Sequence, residues 1–362
     1  MSTPPLPLTY DECRARFRHA ATGAGLAVRA DAIAAPGPDG QRLTVDSVRL
    51  GPARPERMLI VLGGVHGVEG FIASTVQCDL LDRLAGEPLP EGLGVLIVHG
   101  VNPWGMAWWR RQNESNVDLN RNWHRDRTAP PPNDAYDELH PIACPDTDQL
   151  PSVDDLVVTA GEWVATRGLD WVRDGITRGQ YRHPDGLHYG GARTEASNLI
   201  VESLVAELSG VPEGLVLDLH TGHGPRGALT LLSDQPPGSA QHEFFTRHFA
   251  RFHTEATVDN PDATTGAKYG QIANGIRELL GPDGWCSTAA EFGTTEDMEQ
   301  LAATYTESWV HRHGDRHEPA HAEVVWRYRC CFTPDDPEWA STCRRAGAEL
   351  MNDALTALGA GT

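Results

Sequence analysis

Apolar residues in this chain gather in short uninterrupted runs, separated by stretches with helical periodicity. Met58-Leu59-Ile60-Val61-Leu62, Leu93 to Val98 and Leu215-Val216-Leu217 read as strands buried on both faces. Between the first two, Ile72, Val76, Leu80 and Leu84 recur at four-residue steps and predict a helix over 71–85. Strand-like runs at 27–34 and 41–50 flank Pro36-Gly37-Pro38-Asp39-Gly40, a turn suited to a hairpin. Further strands are expected at 228–233 and 286–293, and helices at 10–22, 153–167, 195–209, 296–312 and 338–358. The last of these opens with Asp336 as N-cap and Pro337 at its first position. A polar stretch of about 128–151 opens on Pro130-Pro131-Pro132 and reads as an inserted surface loop, because strand–helix alternation resumes after it. That alternation predicts an α/β fold, a single three-layer α/β/α sandwich spanning 1–362 as one domain. Ligands of such sheets bind beyond the carboxyl ends of the strands.

Charge narrows the function. The chain has 30 basic and 50 acidic residues, a net charge of −20, which argues against nucleic acid and against an anionic membrane surface as partners. Lys268 is the only lysine, and it stands in Ala267-Lys268-Tyr269, which fits neither a Walker phosphate loop nor a pyridoxal-phosphate site. The seven cysteines include no C-x-x-C pair, so reduced thiols are expected. The N-terminus lacks a basic segment followed by an apolar one, and no apolar stretch approaches the ~20 residues of a membrane helix. The expected location is the cytoplasm. No G-x-S-x-G elbow is present, which argues against a serine hydrolase. Nothing in the sequence sets an oligomeric state.

The polar residues that stand out follow buried strands. His66-x-x-Glu69 lies in the glycine-rich turn Gly63-Gly64-Val65-His66-Gly67. With 16 histidines in the chain, about one H-x-x-E is expected by chance, so the position matters more than the motif. His220 ends the strand that begins near Leu215. Two His and one Glu are a common zinc set in hydrolases, with the fourth position left for water, and His66, Glu69 and His220 would supply it. The plain alternative is a turn histidine, a solvated glutamate and a hydrogen-bonded strand-end histidine. Asp218 lies on the same strand face as His220 and could orient it. The segment Trp109–Trp123 concentrates Arg110, Arg111, Arg121 and several asparagines, a set of donors able to grip an anion or to form surface ion pairs. Glu291 ends an apolar strand, where a carboxylate is either paired or poised as a base.

Together these patches resemble the M14 family of zinc carboxypeptidases, through His66-x-x-Glu69, His220, Asp118-Leu119-Asn120-Arg121-Asn122 and Glu291. Within it the chain resembles the bacterial DUF2817 branch, through Asn102-Pro103, Arg110-Arg111-x-Asn113-Glu114, Gly179-Gln180-Tyr181-x-His183-Pro184-Asp185-Gly186-Leu187 and Glu291-Phe292-Gly293-Thr294. The resemblance implies a mixed, mostly parallel sheet and one zinc ion per chain held by His66, Glu69 and His220. It implies that Glu291 activates water and then carries a proton to the leaving amine. Asn120 and Arg121 would bind the substrate's terminal carboxylate, and Arg110 or Arg111, of which Arg111 is favoured, would steady the oxyanion. Tyr269 is the candidate for the family's mobile tyrosine. The implied substrate is a small peptide with a free carboxylate. A related alternative is an N-acyl amino acid, and a further one is a carboxylate-binding protein without catalysis.

Overall fold

A computed structural model describes residues 5–123, 126, 128–260 and 263–359. Its strands are β1 (Arg29–Pro36), β2 (Arg42–Leu50), β3 (Arg57–Gly63), β4 (Leu93–His99), β5 (Glu213–Gly222), β6 (Leu229–Ser233), β7 (His253–Ala256) and β8 (Trp285–Gly293). They form one eight-stranded sheet in the order β1-β2-β4-β3-β5-β8-β6-β7. The central strands β4, β3, β5 and β8 run parallel. The expected hairpin joins β1 to β2 antiparallel, β2 meets β4 antiparallel, and β8 meets β6 antiparallel. This is an α/β fold with a mixed sheet.

Alternation along the central strands explains their unbroken apolar runs. Leu59, Val61, Val95, Ile97, Leu215 and Leu217 bury against Phe17, Ile72, Val76, Leu350 and Met351 from helices on one face. Met58, Ile60, Leu62, Leu96, Val98 and Val216 bury against Val201, Val205, Ile272 and Ile276 on the other. Two covered faces leave the centres of β3 and β4 without polar side chains, whereas β5 and β8 bury Asp218, Ser287 and Thr288.

The segment expected as a loop at about 128–151 is in part helical, over Asp134–Ala143. Asn133 caps it, accepting a hydrogen bond from the Tyr136 amide, and Tyr136, Leu139 and Ala143 bury against Ile176 and Leu187. Proline density suggested a loop, but the one proline inside the helix, Pro141, did not prevent burial of this apolar stripe from fixing the segment. Among the described residues, no helix is long and apolar enough to cross a membrane.

Candidate functional site

The site is assembled where β3, β5 and β8 end. After β3 the chain turns sharply at Gly64 (φ +74°), and Gly67 packs so closely on Gly105 that a β-carbon there would lie 2.0 Å from its carbonyl carbon. This close approach lets His66 and Glu69 turn back over the sheet at the start of the helix Gly70–Leu84. The Val68 amide donates to the Arg110 carbonyl at 2.9 Å, which docks the arginine-bearing loop on the same turn.

Three donor groups converge there. His66 Nδ1 lies 2.8 Å from Glu69 Oε1, His220 Nδ1 lies 2.9 Å from Glu69 Oε2, and the two Nδ1 atoms are 3.1 Å apart. All three residues are buried. Each of the three residues can offer one ligand atom within 4.8 Å of the others, a spacing open to a single metal ion. Two nitrogens and a carboxylate also match the donor chemistry of zinc. Each imidazole is oriented from behind, as metal-ligating histidines usually are. His66 Nε2 lies 3.1 Å from Asp118 Oδ1, and His220 Nε2 lies 2.7 Å from Asp218 Oδ2.

Glu291 joins this group through the sheet register. It is the direct partner of His220 across the parallel β5/β8 pair, so both side chains leave the sheet on one face. Glu291 Oε2 is buried and has no hydrogen-bond partner among the described residues.

Asp118 is the electrostatic hub. Its Oδ1 meets His66 and accepts from the Asn120 amide, while its Oδ2 accepts from Arg111 Nε at 3.0 Å and lies 3.2 Å from His188 Nδ1. Burial alone would raise the Asp118 carboxyl, but Arg111, Arg121 and His66 outweigh it and hold the group well below the usual range. Burial would likewise raise Glu69, yet His66 and the hydrogen bond from His220 hold it low. His188 is pushed down to about 3 by burial, despite its bond to Asp118.

The arginines and amides divide by placement. Arg111 reaches the cluster, with Nη1 3.1 Å from Glu69 Oε1. Arg110 does not. Its buried guanidinium donates to Glu307 at 3.0 Å and to Asn116, and among the described residues no bond joins it to the donor cluster. Asn120 stands against His220, at 3.4 Å, but its amide oxygen already accepts from the Ile272 amide. Arg121 is buried, donates only to the Thr177 and Asn120 carbonyls, and has no ion pair among the described residues. Tyr269 rests its ring near the Arg178 guanidinium, 5.8 Å away, and no hydrogen bond joins its phenol to the donor cluster.

Two residues escaped the sequence reading. Asp118 was visible only as part of a motif, although its position two residues before Asn120 is the spacing of an Asx turn. Lys268 fits no phosphate-binding or cofactor motif in the sequence, yet it lines the cavities beside the site, where the charges of Arg121 and Glu291 act on it.

Several solved structures are similar to this one. They include carboxypeptidase A from Helicoverpa armigera, with 14% identity, a TM-score of 0.48 and coverage of 89% of this chain and 73% of that one. A metallo-carboxypeptidase from Pseudomonas aeruginosa, in complex with (2-guanidinoethylmercapto)succinic acid, has 16% identity, a TM-score of 0.39 and coverage of 95% and 69%. One from Burkholderia cenocepacia has 14% identity, a TM-score of 0.39 and coverage of 86% and 69%. No curated protein matches the sequence. The family model described as "Protein of unknown function (DUF2817)" matches residues 7–345, and the chain belongs to that family.

Proposed function

We propose that this chain is a zinc-dependent hydrolase that cleaves an amide bond next to a free carboxylate, in the manner of a carboxypeptidase. The observation that carries the reading is the pairing of His220 with Glu291 in the sheet. It sets an unpartnered carboxylate oxygen beside a two-histidine, one-glutamate donor set. His66, Glu69 and His220 would hold the ion. When bound, zinc supplies a Lewis acid and brings water toward ionisation near neutral pH.

The remaining work falls to the chain's own groups. Glu291 takes the proton of the attacking water at Oε2 and delivers it to the departing nitrogen, a general-base and then general-acid role. Arg111, fixed by Asp118, faces the charge that develops on the carbonyl oxygen. Arg121 carries a buried charge that forms no ion pair among the described residues, which suits it to the carboxylate of a substrate. Asn120 contributes by fixing His220 and the start of the helix Ile272–Leu280.

The test is metal analysis of the purified protein, followed by turnover of peptides with free C-termini, the same peptides amidated, and N-acyl amino acids. One zinc per chain and hydrolysis of the free-carboxylate peptides support the reading. Preference for N-acyl amino acids would make it a deacylase. Purified protein with no zinc and no uptake of it would end the hydrolase proposal.

A further inference from the structure

The one lysine of the chain stands at the junction of two adjoining cavities. The inner one is lined by Asn120, Asp218 and Ala289, next to the donor cluster, and the outer one encloses about 450 Å³ and is lined by Trp123, Gly275 and Glu278. Lys268, Asp234, Gln271 and Asn274 line both. The inner cavity encloses only about 10 Å³, room for about one water-sized group, so a substrate atom that enters it lies beside Lys268.

Of the acids that line these two cavities, Asp234 is paired and Asp218 lies beside His220, while Asp126 and Glu278 edge the outer cavity. Asp234 is gripped by Arg277 through two contacts of 3.1 and 2.9 Å, and Asp218 faces His220. The Lys268 ammonium donates to Thr265 Oγ1 and to the Gly266 carbonyl, and forms no ion pair among the described residues. Arg121 and Arg111 repel it, while Glu291 from β8 and Asp174 from the helix Leu169–Thr177 attract it without pairing.

The loop that carries it is nevertheless held in place. Glu255 on β7 accepts from the Thr264 and Thr265 amides at 2.7 and 3.1 Å and from the Thr264 hydroxyl. A fixed, partly desolvated cation without a counter-charge is costly to keep, and it becomes favourable when a ligand supplies the anion.

We propose that Lys268 is a specificity residue that recognises a second anionic group on the substrate. The residue released is then acidic, with its main-chain carboxylate at Arg121 and its side-chain carboxylate at Lys268. This rests on the carboxylate-binding part of the function proposed above.

The test separates binding from catalysis. Calorimetric titration of the zinc-supplemented protein with L-glutamate and L-glutamine reads the second carboxylate alone. Glutamate should bind at least ~10-fold more tightly, as a charge-assisted contact gives. Lys268→Met should bring the ratio close to one, and Lys268→Arg, which keeps the charge, should retain a preference for glutamate. Equal affinities in the wild type, binding of neither ligand, a preference that survives in Lys268→Met, or one lost in Lys268→Arg would each overturn the proposal. If glutamate is preferred as stated but no peptide ending in Glu is cleaved, the hydrolase reading fails while Lys268 keeps its role.

Discussion

His220 and Glu291 occupy one rung of the sheet, facing the same side from neighbouring parallel strands. A donor that can hold a metal and a carboxylate oxygen with no hydrogen-bond partner among the described residues are thereby set side by side by backbone pairing, not by flexible loops. Such placement is rigid, which is what catalysis requires of a base.

Glu291→Gln keeps the shape of the side chain and removes its basicity. Turnover should fall by at least ~10²-fold, while zinc content by elemental analysis stays at the wild-type level. Loss of the metal along with activity would make Glu291 a ligand and reverse its assignment.

The clamp at Arg121 is tested on the substrate first, because the side chain is buried and its removal could disturb the fold. Amidating the substrate's C-terminus should lower kcat/KM by about 10- to 150-fold, the kinetic equivalent of one charge-assisted contact. Arg121→Ala should show little further loss on amidation, since both changes remove the same pair. Indifference of the wild type to the amide would leave Arg121 a purely internal cation.

Selectivity should depend on pH through Lys268. Burial lowers its ammonium to about 7, with Arg121 and Arg111 adding to the effect and Glu291 and Asp174 opposing it. The lysine is charged below that value and neutral above it, whereas a glutamate side chain stays ionised across the range. The glutamate-to-glutamine affinity ratio should therefore fall roughly tenfold between pH 6 and pH 8. Binding at pH 8 should also take up protons, measured as a dependence of the heat on buffer ionisation. A flat ratio across this interval would separate Lys268 from recognition.

Arg110 makes a different kind of prediction. Its ion pair with Glu307 is buried at both ends, with side-chain exposures of 1% and 2%. Glu307→Ala would strand a buried cation and should destabilise the fold by about 3–5 kcal/mol in urea unfolding. A loss below about 1 kcal/mol would mean that water or another group compensates the charge.

The parts of this molecule that the sequence exposed are those governed by neighbours along the chain. Met58–Leu62 and Leu215–Leu219 announce buried strands, and His66, Glu69, His220 and Glu291 stand out because each follows such a run. The rung shared by His220 and Glu291 was not legible, because register depends on which strands become neighbours. Asp118 escaped for a similar reason, since its partners His66 and His188 lie 52 and 70 positions away. The helix Asp134–Ala143 was hidden by the prolines before and within it, and only packing on Ile176 and Leu187 reveals why its apolar stripe prevails. Lys268 carries no local signal at all. Its place follows from the contacts of Glu255 with the Thr264–Thr265 backbone.

The four contacts of Asp118 have an evolutionary consequence. One carboxylate orients a histidine of the donor set, fixes Arg111, holds His188 and shapes the turn that presents Asn120 and Arg121. Substitutions at these positions are then epistatic. A change at Arg111 that redistributes the charge on Asp118 also alters how firmly His66 is held, so the roles proposed above for these two residues would not vary independently. Divergence in substrate preference is consequently channelled away from this hub, toward residues such as Lys268 that lie in the cleft but outside its network of bonds.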